Sequence, residues 1–335
     1  MNSIEFEKAL YKGLGRCVTE LDLPGRTEVH KKTVLDCCTK NISSYFPLEK
    51  SRGEFLYRLV KKFNDDKYFL RPVNSVYVKE LPRCENTYKM LIQMMDFLWL
   101  FKKENNIAVY DILLNKFSTV KEELCTSKEN FFAKDFFEIM CLKFIENEGF
   151  DGYAYVIRAI DVICKENDNY VLDDFCSVLD VGKKRFRAKK ILQETFSHTS
   201  RKMYNYFYIS YRKALQAVPE YDNREKLAEC CFDVNEVCAE TVRIMQKGEE
   251  AREEQIFKLC KKIIALHEVR QKKRIPKELL FFAYEYSPSS NLRMKIVSLM
   301  GKKRIITKEI AEEAVNDCEE KTRKYIKQYH AHLLV

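Results

Sequence analysis

The chain has 335 residues and carries 59 Lys+Arg against 50 Asp+Glu, a formal net charge of +9. Apolar residues make up 46% and charged residues 33%, a balance that excludes both a disordered chain and a membrane-embedded one. The charge is uneven: residues 1–180 hold 26 basic and 29 acidic side chains, net −3, and residues 181–335 hold 33 and 21, net +12. Two segments follow from this, a near-neutral 1–180 and a basic 181–335, expected to form one continuous body.

Nine Gly and seven Pro are few for this length, which favours helices joined by short polar breaks. Residues 4–14 form a short amphipathic segment, and Asp22-Leu23-Pro24-Gly25 breaks it. A helix over 27–38 follows, with Thr27 as its cap and Val34, Leu35 and Cys38 on one face. Phe55, Leu56, Leu59 and Phe63 keep the helical period over 52–63. Around 74–82, Val76, Val78 and Leu81 suggest a brief extended piece before Pro82. A strongly apolar helix over 85–104 contains the lone Trp99, read as core. Asn105 and Asn106 end it, and helices over 109–117 and 131–145 follow. Gly149-Phe150-Asp151-Gly152 opens a pair over 153–164 and 171–179, then come 183–196 and 202–218. Segments 225–230, 234–245 and 253–268 lead to Pro276.

The closing stretch, 281–329, shows the design best. Leu279, Phe282, Ala283 and Tyr286 form one stripe, Ser287-Pro288-Ser289-Ser290 interrupts, and Leu292, Ile296 and Leu299 form the next before Gly301. Ile310, Ala314 and Val315 begin a third, Asp317 offers a cap, and Thr322, Tyr325, Ile326 and Tyr329 line a fourth. A single apolar stripe needs a neighbour, and consecutive short helices supply it by stacking. Roughly 13–16 helices, as six to eight pairs of about 40 residues, predict an all-α right-handed solenoid.

Residues 26–63 resemble two helices of a HEAT-type repeat, and so do residues 287–326, in which a helix over 291–300 follows a turn. The order of these pieces also resembles that of bacterial HEAT-like proteins without an established function. The proline and aspartate marks of consensus repeats are mostly missing. The resemblance implies a HEAT/armadillo-like α–α superhelix, a class that includes protein scaffolds, nucleic-acid binders and DNA glycosylases of alkylated bases.

The thirteen cysteines are odd in number, lack a C-x-x-C pair and never join His30, His198, His267, His330 or His332 at a zinc-ligand spacing, so they read as reduced thiols. Adjacent pairs stand at Cys37-Cys38 and Cys230-Cys231. The longest nearly apolar run, 90–101, is too short to cross a bilayer, and residues 1–30 lack the apolar core of a secretion signal, so the cytoplasm is the default location. Nucleotide-binding glycine patterns, G-x-S-x-G, H-E-x-x-H and the EF-hand loop are absent, so no catalytic residue, cofactor or metal ligand is nominated. Glu249, Glu250, Glu253 and Glu254 read as a solvated acidic turn rather than a metal ladder, since no histidine accompanies them. Asp151, Asp173 and Asp174 are the carboxylates a base-excision enzyme would draw on.

The strongest functional signal lies in 183–213, with ten Lys+Arg and only Glu194 opposing them. Lys183, Arg187 and Lys190 fall at i, i+4 and i+7 beside Lys184, and Arg201, Lys202, Arg212 and Lys213 extend the track. Tyr204, Tyr208 and Tyr211 share one stripe and are candidates to stack bases. Arg270, Lys272, Lys273 and Arg274 add a further cluster, and Lys302-Lys303-Arg304 another. The competing reading makes the tyrosines interhelical cement and the lysines a solvated exterior. The preferred function is a non-enzymatic scaffold for a protein or peptide; the alternatives are a nucleic-acid-binding solenoid and, further off, a glycosylase-like enzyme.

Overall fold

A computed structural model of the chain describes residues 1–42, 52–127, 130–167, 170, 172–186, 234–247, 253–269 and 275–334. Among the described residues every regular element is helical. The chain divides into two compact units, one formed by Met1–Arg71 with Asp222–Val335 and the other by Pro72–Tyr221. The charge step at 180/181 is a separate division, one of sequence composition.

The first unit begins with α1 (Ser3–Lys12), closed at its start by a capping box in which Asn2 and Glu5 exchange side-chain and backbone bonds of 2.9 and 3.1 Å. It ends at Gly13, whose φ of +69° is left-handed. Next come α2 (Arg16–Leu21), α3 (Arg26–Cys38) and α4 (Gly53–Val60), the last running into a 3-10 turn at Lys61–Phe63. Thr27 does not cap α3: the helix starts one residue earlier, from Gly25 at φ +75°, with no side-chain cap bond. Helix α1 packs on α2 and α3, and α3 packs on α4.

The unit boundary falls inside α5 (Asp66–Lys79), which corrects the extended piece expected around 74–82. Phe69, Val73 and Tyr77, four residues apart and each fully buried, set a helical period that begins ahead of that segment. Pro72 sits inside this helix, where the burial of that stripe outweighs the missing backbone donor.

In the second unit, α6 (Glu85–Lys103), α7 (Ile107–Thr126), α8 (Phe131–Glu166) and α9 (Cys176–Phe186) pack successively, with a 3-10 turn at Leu172–Phe175 before α9. Asn106 does more than end α6; its side chain accepts the Val109 N–H and starts α7, which runs nine residues past the expected end. The α8 span holds the two expected helices, which meet at a kink at Gly149, where φ is +64° and ψ −132°. Trp99 is buried, edge-on to Phe144 at 5.1 Å and Tyr110 at 6.3 Å.

The remainder of the first unit comprises α10 (Val234–Lys247), α11 (Glu253–Val269), α12 (Lys277–Tyr286), α13 (Ser290–Lys302), α14 (Lys308–Ala314) and α15 (Glu320–Tyr329). Ser289 and Thr307 cap α13 and α14. Gly301 lies within α13 rather than ending it, and its missing side chain is what lets Tyr325 and His330 approach. Leu280, Cys260, Ile263, Ile296 and Met300 centre the core here.

Packing between chain neighbours is therefore the rule, as one-sided helices require. A second kind of contact is added within the first unit: Gly13 and Gly15 meet the 313–318 turn, with the Cys318 N–H donating to the Gly13 carbonyl at 3.0 Å. Stacking on chain neighbours alone would keep these residues apart. Buried charge holds them together.

Candidate functional site

Arg293 lies on the buried side of α13, one residue from Leu292 and three before Ile296. It is completely buried, and a guanidinium without water needs an acceptor for each of its donors. Nε donates to Asp317 Oδ2 at 2.7 Å and Nη1 to the Ser287 carbonyl at 3.3 Å. Nη2 donates to the Lys12 carbonyl at 2.9 Å and the Gly13 carbonyl at 3.4 Å, and lies 3.6 Å from Cys318 Sγ. One side chain thus ties the end of α1 to the turn before α15. Burial alone would make Arg293 easier to deprotonate, but the adjoining Asp317 and Cys318 more than reverse this and hold it charged.

Asp317, read from the sequence as a cap, is instead the fully buried counter-ion, with its other oxygen accepting the Glu319 N–H at 2.8 Å. Glu319 is the residue that caps α15. Three more arginines surround the 316–318 turn. Arg58 from α4 donates to the Asp317 carbonyl at 2.9 Å. Arg323 donates to the carbonyls of Asp317 and Cys318 and pairs with Glu54 at 2.5 Å. Arg52, 1% exposed, donates to Cys318 Sγ.

A second knot lies beside the first. Arg16 bonds both oxygens of Glu285 and reaches Glu313 at 2.9 Å. Burial pushes the Glu313 carboxyl up despite this partner, and the same burial, reinforced by the Glu313 charge, pushes the Tyr284 phenol up. Lys12, whose Nζ donates to the Glu285 carbonyl at 3.2 Å and lies 5.0 Å from the Tyr286 ring, is pushed down by burial. The arrangement concentrates fixed positive charge around one sulfur and one turn of backbone.

The second unit holds a different buried charge. Lys116 on α7 is 1% exposed, donates to the Glu80 carbonyl and lies 5.6 Å from the Tyr77 ring. Burial pulls its ammonium down to about 8.

Of the basic residues nominated from sequence, Lys183 and Lys184 fall in the last turns of α9, a helix that starts at Cys176 rather than at 183. Between Lys184 and Phe186, the exposed Arg185 donates to the Ile145 carbonyl at 3.5 Å and lies 5.3 Å from the Phe186 ring. Arg187, Lys190, Arg201, Lys202, Arg212, Lys213, Arg270, Lys272, Lys273 and Arg274 lie outside the described residues, as do Tyr204, Tyr208 and Tyr211. Asp174 pairs with Lys134 at 3.2 Å, Asp151 is exposed, and Glu254 pairs with Lys258 at 2.7 Å. Glu249 and Glu250 are outside the described residues. Among the described residues no group of three or more His, Cys, Asp and Glu is placed to hold a metal ion, and no helix is long and apolar enough to cross a membrane. None of the eleven described cysteines is joined in a disulfide.

Sequence reasoning passed over Arg293 and Lys116. A signal for both was present: each stands within an apolar helical stripe, Arg293 with Ile296 and Met300, Lys116 with Leu113 and Val120. A charge in that position must find a buried partner. Comparison with protein-family models, with curated proteins and with solved structures finds no match to this chain.

Proposed function

We propose that the chain is a non-catalytic helical scaffold, built of HEAT-like stacked pairs, that binds a protein or peptide. Its main support is the face of α10 turned away from the core. Val237, Thr241 and Ile244 are buried on one side, while Val242 and Met245, three residues apart, stay 52% and 57% exposed on the other. Two large apolar side chains at helical spacing suit a partner helix that offers its own apolar stripe. Panning a random peptide library against the intact chain tests this. The expected result is a consensus with apolar residues three or four apart, whose binding Val242→Asp and Met245→Asp abolish. A library that yields no consensus, or binders indifferent to both substitutions, refutes the reading.

A second reading is favoured by one observation, the ten basic residues and interleaved tyrosines of 183–213. Here the chain binds a nucleic acid by following its phosphates. Labelled single-stranded and duplex oligonucleotides titrated at two salt concentrations test it; affinity must fall steeply with salt, and no measurable binding at low salt removes the reading.

A further inference from the structure

We propose that Cys318 is held as a thiolate by Arg52 and Arg293 and is a site of oxidation by hydrogen peroxide. The sulfur receives Arg52 Nη1 and lies 3.6 Å from Arg293 Nη2, and both arginines are at least 99% buried. Two guanidinium groups without bulk water around them favour the charged sulfur over the neutral thiol. Cys318 as a residue is half-buried rather than enclosed like Cys17 or Cys38.

A further arginine lies within electrostatic reach of the same sulfur. Arg58, which does not touch the sulfur, has its Nε buried without a hydrogen-bond partner. Its guanidinium is pushed down by burial and then by Arg323, even with Glu54, Cys318 and Asp317 nearby. Glu54, Cys318 and Asp317 act in the opposite direction, so a negative sulfur at this place favours the charged Arg58. The contrast within the chain is sharp. Cys17, Cys38 and Cys141 have their thiols pushed well up by burial, and Cys37 to about 12, the environment of inert sulfur.

The reaction is a two-electron transfer. The thiolate attacks one peroxide oxygen, an S–O bond forms as the O–O bond breaks, and hydroxide leaves to take a proton from water; sulfur is oxidised and peroxide reduced. The sulfenic acid is neutral, so Arg52 loses the negative sulfur as a partner while Arg293 keeps only Asp317. The added oxygen also needs room where Gly13 packs: a Cβ on Gly13 would already lie 2.5 Å from Sγ. Oxidation thus loosens the contact between the end of α1 and the turn before α15.

Iodoacetamide alkylation of the intact chain across pH, read peptide by peptide by mass spectrometry, tests the assignment. In native protein Cys318 is expected to reach half its maximal rate at least one pH unit below its own value in urea, where a thiol titrates near about 8.5. Arg52→Met and Arg58→Met should each raise that midpoint. Arg58→Lys, which keeps the charge, should restore the wild-type midpoint and carries the test if Arg52→Met fails to fold, since Arg58 does not contact the sulfur. Peroxide followed by dimedone should then label Cys318 and speed hydrogen exchange in α1. A native midpoint equal to that in urea, no reaction at Cys318 at any pH, or no effect of Arg58→Met overturns the proposal.

Discussion

Replacing Lys116 by Met removes a charge from the interior of the second unit while keeping an unbranched stem of similar length. The Lys116 ammonium falls from an ordinary 10.5 to about 8, because burial opposes the charged form more than Glu80 favours it. That difference corresponds to about 3 kcal/mol by which the charged side chain weakens the fold. The folded value lies below the unfolded one, so between them the unfolded chain holds the proton more firmly. The deficit is complete below pH 8 and shrinks as the pH rises towards 10.5. Between pH 7 and 9.5 the wild-type unit should gain about 2 kcal/mol that Lys116→Met does not. At pH 7 the substitution itself recovers part of the deficit, offset by about 1–3 kcal/mol for leaving the Glu80 carbonyl without its donor. Trp99 is the sole tryptophan, is buried and lies in the same unit, so its fluorescence during urea unfolding reports this unit directly. Parallel pH profiles for wild type and Lys116→Met would refute the reasoning, because the buried ammonium would then not be the titrating group.

In the first unit, Arg293→Met leaves Asp317 buried without a counter-ion and should cost about 3–5 kcal/mol, with much of the loss returned by the double change Arg293→Met with Asp317→Leu; urea unfolding followed by far-UV circular dichroism measures both. Gly13→Ala places a Cβ at φ +69° against Cys318 Sγ and the Arg52 guanidinium, and should cost more than the roughly 1 kcal/mol of the backbone conformation alone; hydrogen exchange in α1 and α15 should quicken together. His267, 1% exposed and pulled down to about 4 by burial and then by Lys303, has a folded value below its ordinary 6.5. Stability is therefore present above pH 6.5 and lost as the pH falls towards 4, by up to about 3 kcal/mol, a loss that His267→Phe should lessen in the same circular dichroism measurement.

Helical character was legible along the described chain because one-sided apolar stripes repeat at three and four residues, and the structure keeps that period from Phe6 to Ile326. Where the reading slipped, a local feature masked the stripe. Val76, Val78 and Leu81 suggested an extended piece only because the period was taken up at Asn74; joined to Phe69 and Val73 it is helical as far as Lys79, and Leu81 lies beyond the helix. Gly149 to Gly152 reads as a break between two helices, and the chain does kink there, at Gly149 with φ +64° and ψ −132°. The basic track of 183–213 was the loudest signal in the sequence, and most of it lies outside the described residues.

The arginine cluster was illegible for a different reason. Arg293 and Asp317 are 24 residues apart, but Gly13 meets Cys318, Arg16 meets Glu285 and Arg58 meets Asp317 across some 260 to 305 positions. A periodic pattern specifies which face of a helix is buried; it carries no information about which distant face will cover it. Charge within an apolar stripe does carry such information, because an unpaired guanidinium there costs more than the whole stability of a typical domain can bear. Arg293 on its stripe therefore demands both an acid and several carbonyls. The acid is close in sequence, and two of the carbonyls belong to the end of α1. On this account the first helices and the last are held together by the same requirement that keeps Arg293 charged, and weakening that charge pair should release α1 before it disturbs α11 or α12.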